Sequence, residues 1–353
     1  MTLPLPPNAR VAIVMLTAVG DVVHTLPVVN SLRAAAPALH LSWVVQPGPA
    51  GLLAGHPAVD ELIAFDRRRG WRAWGELRAN LRRRRFDLVL DLQVYLKAGL
   101  ITRLLRSPRK VGFDRARARD LNWLFSTERI APRPRAHIQD ELLEFVDHLG
   151  VPRRLEWRVG TTSEERERYD SLLPPSVHPT VALVVGTSKP EKEWPAERYA
   201  AIADRLAVER GVRTILVGGR SPREDAAAHT IGRLAAHPPL DLREWDLRRV
   251  VRLLERADVL VSPDTGPLHL GVALGTPTVA LMGYTNPKRF GPYGHFEELL
   301  IDAYGDPGEE YATGAPHRLG RMERIAAGEV VDRVLLALER YPKVPADSGQ
   351  PPP

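Results

Sequence analysis

Val11-Ala12-Ile13-Val14-Met15-Leu16-Thr17-Ala18-Val19-Gly20-Asp21-Val22-Val23-His24-Thr25-Leu26-Pro27 is the stretch from which the fold can be read. Its apolar, β-branched opening is followed at once by Gly20 and Asp21, so residues 11–16 read as a buried strand rather than a secretion signal. Gly20 permits a tight turn, and a helical pattern then runs over residues 22–35.

The same grammar extends outward. Strands are expected at 41–45, 62–65, 88–92 and 110–113, with an Arg-rich amphipathic helix at 71–84 and a helix at 98–105. After the polar, Pro-bearing stretch 150–179 it restarts: strands at 181–185, 214–217, 259–261 and 278–282, and helices at 196–210, 224–235, 247–257, 267–274 and 330–339. Strands that alternate with helices imply a parallel sheet covered on both faces. With 353 residues the chain is longer than one ordinary domain of ~100–150 residues, so two doubly wound α/β domains follow. Their expected bounds are 1–160 and 161–341, with 342–353 as a disordered, Pro-ending tail. Ligands of such sheets bind beyond the carboxyl ends of the strands, which places the chemistry in a cleft between the two domains.

Composition narrows the possibilities. Hydrophobic residues make up 44% and charged residues 26% of the chain, the profile of a folded globular protein. There is no cysteine, which excludes disulfides, thiolate metal sites and cysteine nucleophiles and fits a reducing compartment. No apolar run approaches the ~18–20 residues of a membrane-spanning helix, so membrane contact is expected to be peripheral. The net charge of +6 comes largely from arginine, grouped at Arg67, Arg68 and Arg69, at 82–85, and at Arg115, Arg117 and Arg119. Such groups suit phosphates on nucleic acid, on lipid headgroups or on an acidic substrate, and equally a plain solvated surface.

Three strand ends carry candidate chemistry. Asp21, at a helix opening, serves either as an N-cap or as a general base that deprotonates an attacking hydroxyl. In Gly186-Thr187-Ser188-Lys189-Pro190-Glu191-Lys192-Glu193-Trp194-Pro195, hydroxyls and Lys192 precede a Pro-initiated helix and can meet a leaving diphosphate. In Ser262-Pro263-Asp264-Thr265-Gly266-Pro267-Leu268-His269, backbone N–H groups at a helix start, with the Thr265 hydroxyl, suit an anion. His269 reads as a core residue, a capping donor or a phosphate contact. No Asp-x-Asp, G-x-x-x-x-G-K-[ST], G-x-G-x-x-G or H-E-x-x-H occurs. Stabilisation of a leaving group is therefore expected from protein donors, with no metal site and no cofactor.

Taken together, Gly20 through Pro27 and Asp264 through His269 resemble glycosyltransferase family 9, the ADP-heptose:lipopolysaccharide heptosyltransferases. Supporting stretches are Asp91-Leu92-Gln93 through Lys97, Lys192-Glu193-Trp194-Pro195, and Pro287 through Gly294. Tyr95 and Tyr284-Thr285-Asn286-Pro287 depart from the usual pattern. The resemblance implies the GT-B fold, two Rossmann-like domains facing across a cleft. It implies Asp21 as catalytic base, and a donor site of Thr187, Ser188, Lys192, Glu224, Asp264, Thr265, Gly266 and His269. For the acceptor it implies Arg67, Arg68, Arg69, Lys97 and Arg119. The expected reaction is inverting, metal-independent transfer of heptose from ADP-heptose to the lipopolysaccharide inner core, either Kdo-lipid A or a heptosyl acceptor. The expected partners are thus a nucleotide sugar and an anionic glycolipid, without nucleic acid, in the cytoplasm or on the cytoplasmic face of the inner membrane. Two rivals stay open: another GT-B enzyme, such as a sugar-nucleotide epimerase or a transferase with a different donor, and a non-catalytic basic module that binds nucleic acid.

Overall fold

The computed structural model describes residues 5–343, and the expected disordered tail lies, from residue 344 on, outside the described residues. The chain divides into two compact units, Met1–Gly160 with Ala312–Gly314, and Thr161–Tyr311 with Ala315–Pro353.

In the first unit the elements are β1 Arg10–Val14, α1 Val19–Ala35, β2 His40–Val45, α2 Pro47–Leu53, β3 Glu61–Ala64, α3 Trp71–Leu81, β4 Leu88–Asp91, α4 Leu96–Leu104, β5 Arg109–Gly112, β6 Glu128–Arg129 and α5 Ile138–His148. The strands form one parallel sheet in the order β3-β2-β1-β4-β5-β6. β4 is buried throughout and β1 from Val11 on, as expected of strands covered on both faces. α1 is buried on nearly every side, because α5 covers the flank turned from the sheet. There Gln139 joins the two helices, donating from Nε2 to the His24 carbonyl at 2.9 Å.

In the second unit the elements are α6 Ser163–Tyr169, β7 Thr180–Val184, α7 Ala196–Arg210, β8 Arg213–Val217, α8 Pro222–Leu234, β9 Leu240–Asp241, α9 Leu247–Arg256, β10 Val259–Pro263, α10 Gly266–Leu274, β11 Thr278–Met282, α11 Pro287–Phe290, β12 Ile301–Asp302 and α12 Ala327–Arg340. Its sheet is again parallel, in the order β12-β11-β10-β7-β8-β9. Counted within its own unit, this is the order of the first sheet. Each sheet therefore has a switch point where its winding reverses, between β1 and β4 and between β7 and β10, and open α/β sheets receive ligand at the carboxyl side of that point.

Two local readings change. α1 begins at Val19, three residues before the expected start, because Ala18 occupies the N-cap with extended backbone and offers no side-chain capping signal. Within the stretch read as a linker, α6 is a capped helix: Thr162 Oγ1 accepts from Glu165 N at 3.2 Å and Glu165 Oε2 accepts from Thr162 N at 2.8 Å. It is tied to α9 by Arg248, whose Nε lies 2.6 Å from Glu165 Oε1, a pairing that holds the Glu165 carboxyl down at about 2.

Candidate active site

At the switch point of the first sheet, the chain leaving β1 turns at Thr17 and Ala18 into α1. Asp21 is the third helical residue, not the N-cap: its Oδ2 accepts from Ala18 N at 2.7 Å. The carboxylate thus completes one half of a capping box and sits at the positive end of the helix dipole. Gln93, just past β4, clamps the strand of chain that leads to it. Its Nε2 donates to the Thr17 carbonyl at 2.7 Å, and its Oε1 accepts from Leu16 N at 3.2 Å.

Beneath Gln93 lies a carboxylate to which the sequence reading gave no role. Asp91 ends β4, is 0% exposed, and accepts through Oδ2 from Thr102 Oγ1 and Asn122 Nδ2, each at 3.0 Å. Oδ1 accepts from Gln93 N at 3.3 Å. Burial pushes its carboxyl up to about 7, against the pull of these three donors, because no cation is among them. Asn122 also donates to the Tyr95 carbonyl at 2.9 Å, so one buried acid ties together the turn after β4 and the turn before β6.

The basic residues implied for the acceptor all follow carboxyl ends of strands in this unit, but not side by side. Arg67, Arg68 and Arg69 follow the edge strand β3, three positions from β4, a separation of about 14 Å at the usual strand spacing. Arg68 Nε is 3.1 Å from Asp66 Oδ1 and Arg69 Nη1 is 2.6 Å from Glu76 Oε2, so both carry local partners. Lys97, on the first turn of α4, and Arg119 are exposed, and Arg119 lies over the Tyr95 ring at 5.9 Å.

At the switch point of the second sheet, the residues after β7 and β10 converge. Lys192 Nζ lies 2.5 Å from Asp264 Oδ2 and 3.2 Å from the Asp264 carbonyl. His269 Nε2 lies 3.3 Å from Asp264 Oδ1. Burial works to raise the Asp264 carboxyl, but the His269 hydrogen bond and the Lys192 charge hold it far below the ordinary carboxylate range, so it stays ionised. Thr265 caps α10, Gly266 is its first residue, and Ser262 Oγ and Thr265 Oγ1 are 3.1 Å apart.

Thr187 and Ser188 lie in the turn before Lys192, where Thr187 Oγ1 donates to the Lys189 carbonyl at 2.5 Å and Ser188 is exposed. Glu224 caps α8 reciprocally with Ser221: its Oε2 accepts from Ser221 N at 2.8 Å and its Oε1 from Gly219 N at 3.0 Å. A methyl at Gly186 would overlap this carboxylate, so the glycine lets the loop after β7 press against the loop after β8. The structure therefore joins Lys192, Asp264 and His269 directly, sets Thr265 and Gly266 beside them in sequence, and brings Glu224 against Gly186 at the head of the loop carrying Thr187 and Ser188. Among the described residues no three His, Cys, Asp or Glu side chains gather as a metal site, and no helix is long and apolar enough to cross a membrane.

A polar cradle built from a helix N-terminus, a lysine and hydroxyls at a parallel-sheet switch point suits an anionic, phosphate-bearing ligand. The family model of glycosyltransferase family 9 (heptosyltransferase) matches residues 74–307. The chain is 32% identical over 305 residues to lipopolysaccharide heptosyltransferase 1 of Pseudomonas aeruginosa, covering 82% of this chain and 83% of that protein. It is 29% identical over 307 residues to the lipopolysaccharide core heptosyltransferase OpsX of Haemophilus influenzae, covering 84% and 88%. Among solved structures, that of Escherichia coli heptosyltransferase WaaC with ADP matches with a TM-score of 0.73 at 27% identity, covering 93% of this chain and 99% of that one.

Proposed function

This chain belongs to glycosyltransferase family 9, the heptosyltransferases, and from that premise we propose that it transfers heptose from ADP-heptose to the inner core of lipopolysaccharide, with inversion and without a metal ion. The acceptor is Kdo-lipid A or a heptosylated form of it, met at the cytoplasmic face of the inner membrane.

The observation that carries this reading is the Lys192–Asp264–His269 cluster at the carboxyl ends of β7 and β10. In the proposed reaction the acceptor oxygen bonds to the anomeric carbon as that carbon's bond to the β-phosphate oxygen breaks, and the bonding pair leaves with ADP. Charge grows on the departing diphosphate, where the Lys192 ammonium, the Thr265 hydroxyl and the N-terminal amides of α10 are preorganised to meet it. Asp264 holds Lys192 extended in advance, which lowers the cost of ordering a long side chain when the donor arrives. Asp21 takes the proton of the attacking hydroxyl. Its anchorage to Ala18 N and the Gln93 clamp on Thr17 keep the carboxylate at a fixed place beyond β1.

The test is incubation of the purified protein with ADP-heptose, with and without Kdo-bearing lipid A, following ADP release and the mass of the lipid. Acceptor-dependent release with a heptose-sized gain is expected. In Asp21→Asn, turnover should fall by about 10²–10⁴-fold, the usual worth of a general base; a near wild-type rate would remove Asp21 from that role.

A further inference from the structure

We propose that the exposed apolar seam between α4 and the turn at Asn122–Phe125 is a docking surface for an anionic lipid bilayer. The proposal deepens the function above and rests on it for the expectation that the acceptor is anchored in lipid.

The seam is built tightly underneath and left bare on top. A methyl at Gly99 would overlap the Phe125 ring, so α4 and the turn approach at close range. Asn122, fully buried, bonds to the Tyr95 carbonyl at 2.9 Å and fixes the start of the helix against the turn. Around this join large apolar side chains face solvent: Tyr95 is 50% exposed, Leu121 59% and Leu124 54%. Leu96 and Leu100, also exposed, lie one helical turn apart and so share a face of α4. Five such side chains on two packed segments form a patch of the kind that marks an interaction site, whereas single exposed leucines need no explanation. Asp120 and Leu121 moreover have φ values of +50° and +63°, a left-handed backbone that glycine adopts readily and other residues seldom do. A left-handed backbone at a non-glycine residue costs free energy, and here it holds an apolar side chain in water.

The border of the patch says what covers it. Arg115 and Arg129 lie over the Trp123 ring at 4.8 and 5.2 Å, and Arg119 lies over Tyr95 at 5.9 Å. With Lys97 these make four cations around the seam, and none of the four has a carboxylate partner among the described residues. Nearby Arg109, by contrast, is 2.8 Å from Glu128 Oε1 and so is already neutralised. Arg129 Nε and Nη2 donate to the Trp123 carbonyl at 3.3 and 3.2 Å, which fixes this guanidinium at the border without cancelling its charge. Aliphatic tips that enter an acyl boundary, aromatic rings at headgroup depth and cations without carboxylate partners to meet lipid phosphates are the composition of a peripheral membrane contact. A protein partner would require matching carboxylates; a second copy of this chain presents the same cations and would repel. Docking here would set the carboxyl edge of the first sheet, where Lys97 and Arg119 lie, beside the headgroup layer.

The full chain is sedimented with vesicles of phosphatidylglycerol and phosphatidylethanolamine that contain no glycolipid, and with phosphatidylcholine vesicles. The wild type should pellet with the anionic vesicles and be released by salt. Leu100→Gln with Leu121→Gln and Leu124→Gln should weaken that binding about tenfold or more, while its melting temperature and its turnover on a water-soluble, delipidated acceptor stay at wild-type values. Arg115→Gln with Arg129→Gln should weaken binding to anionic vesicles and flatten its salt dependence. Wild-type protein that stays in the supernatant with anionic vesicles at low salt overturns the proposal, as does a triple leucine variant that pellets equally well. A wild-type dimer in light scattering that the leucine variant dissolves, with vesicle binding unchanged, would give the seam to a second copy and also overturn it. Because the vesicles carry no acceptor, failure here leaves heptosyl transfer standing; loss of transfer to soluble acceptor with vesicle binding intact would sink the proposed function and not the docking surface.

Discussion

Asp91→Asn changes one buried oxygen for an amide and removes a titration from the middle of the working pH range. The Asp91 carboxyl is raised from its ordinary value of 3.8 to about 7 by burial. A raised carboxyl means that the folded protein holds a proton that the unfolded chain has already lost, so stability is fully present at low pH and declines as pH rises through about 7. Across the whole window from 3.8 to about 7 the loss amounts to about 4 kcal/mol, and between pH ~5 and ~8 to about 3 kcal/mol, at 1.36 kcal/mol for each pKa step. Histidines titrate in the same interval but are common to both proteins, so the difference between variant and wild type isolates Asp91. The assay is denaturant unfolding of both at several pH values, read as the free-energy difference. The asparagine variant should gain on the wild type steadily from pH ~5 to ~8, by about 2–3 kcal/mol in all. Its absolute stability at pH ~5 should be lower, since the amide cannot accept from Thr102, Asn122 and Gln93 as the acid does. A difference that stays flat within about 0.5 kcal/mol, or that grows towards acid, would refute the argument that Asp91 is buried without a cation.

Two further perturbations bear on the donor side. Lys192→Met removes the ammonium from Asp264 and from the proposed diphosphate site, so turnover should fall by about 10²–10³-fold in steady-state assays of ADP release, with little change in fold by circular dichroism. Gly186→Ala drives the Glu224 carboxylate from its place and strips the Gly219 and Ser221 amides of their acceptor; a thermal melt should show a loss of about 1–3 kcal/mol, and the KM for the nucleotide sugar should rise.

The parallel sheets were legible because fully buried strands read as short continuous apolar runs, and because glycine and proline punctuate their ends. Helix Ala196–Arg210 stands at its expected bounds, with Pro195 before it and Gly211, in the left-handed region at φ +62°, after it. What escaped was structure whose cause lies elsewhere in the chain. α6 is too polar to announce a core face, and prolines at 152, 174, 175 and 179 surround it; it is held by Arg248 and Asp246, about eighty residues on. Strands β6 and β9 are two residues long and exist only as edges to neighbours already in place. The position of Asp21 on the third residue of α1 was hidden because its N-cap is an alanine.

The same distinction governs the charges. In the sequence, Arg67, Arg68 and Arg69 form the densest of the basic groups assigned to the acceptor, and Lys97 and Arg119 are isolated. In the structure, Arg68 and Arg69 are answered by Asp66 and Glu76, while Lys97 and Arg119 stand without carboxylates near the switch point between β1 and β4. A cation already neutralised by its neighbour gains less from a ligand phosphate than one that is not, since the first must give up a partner to make the new contact. Density along the chain is therefore a poor guide to where an anion binds. The residues to rank first are those whose charge the fold leaves uncompensated; among the residues assigned to the acceptor, Lys97 and Arg119 are two of these, and they border the seam of α4, beside the turn that Asp91 and Gln93 hold against the approach to Asp21.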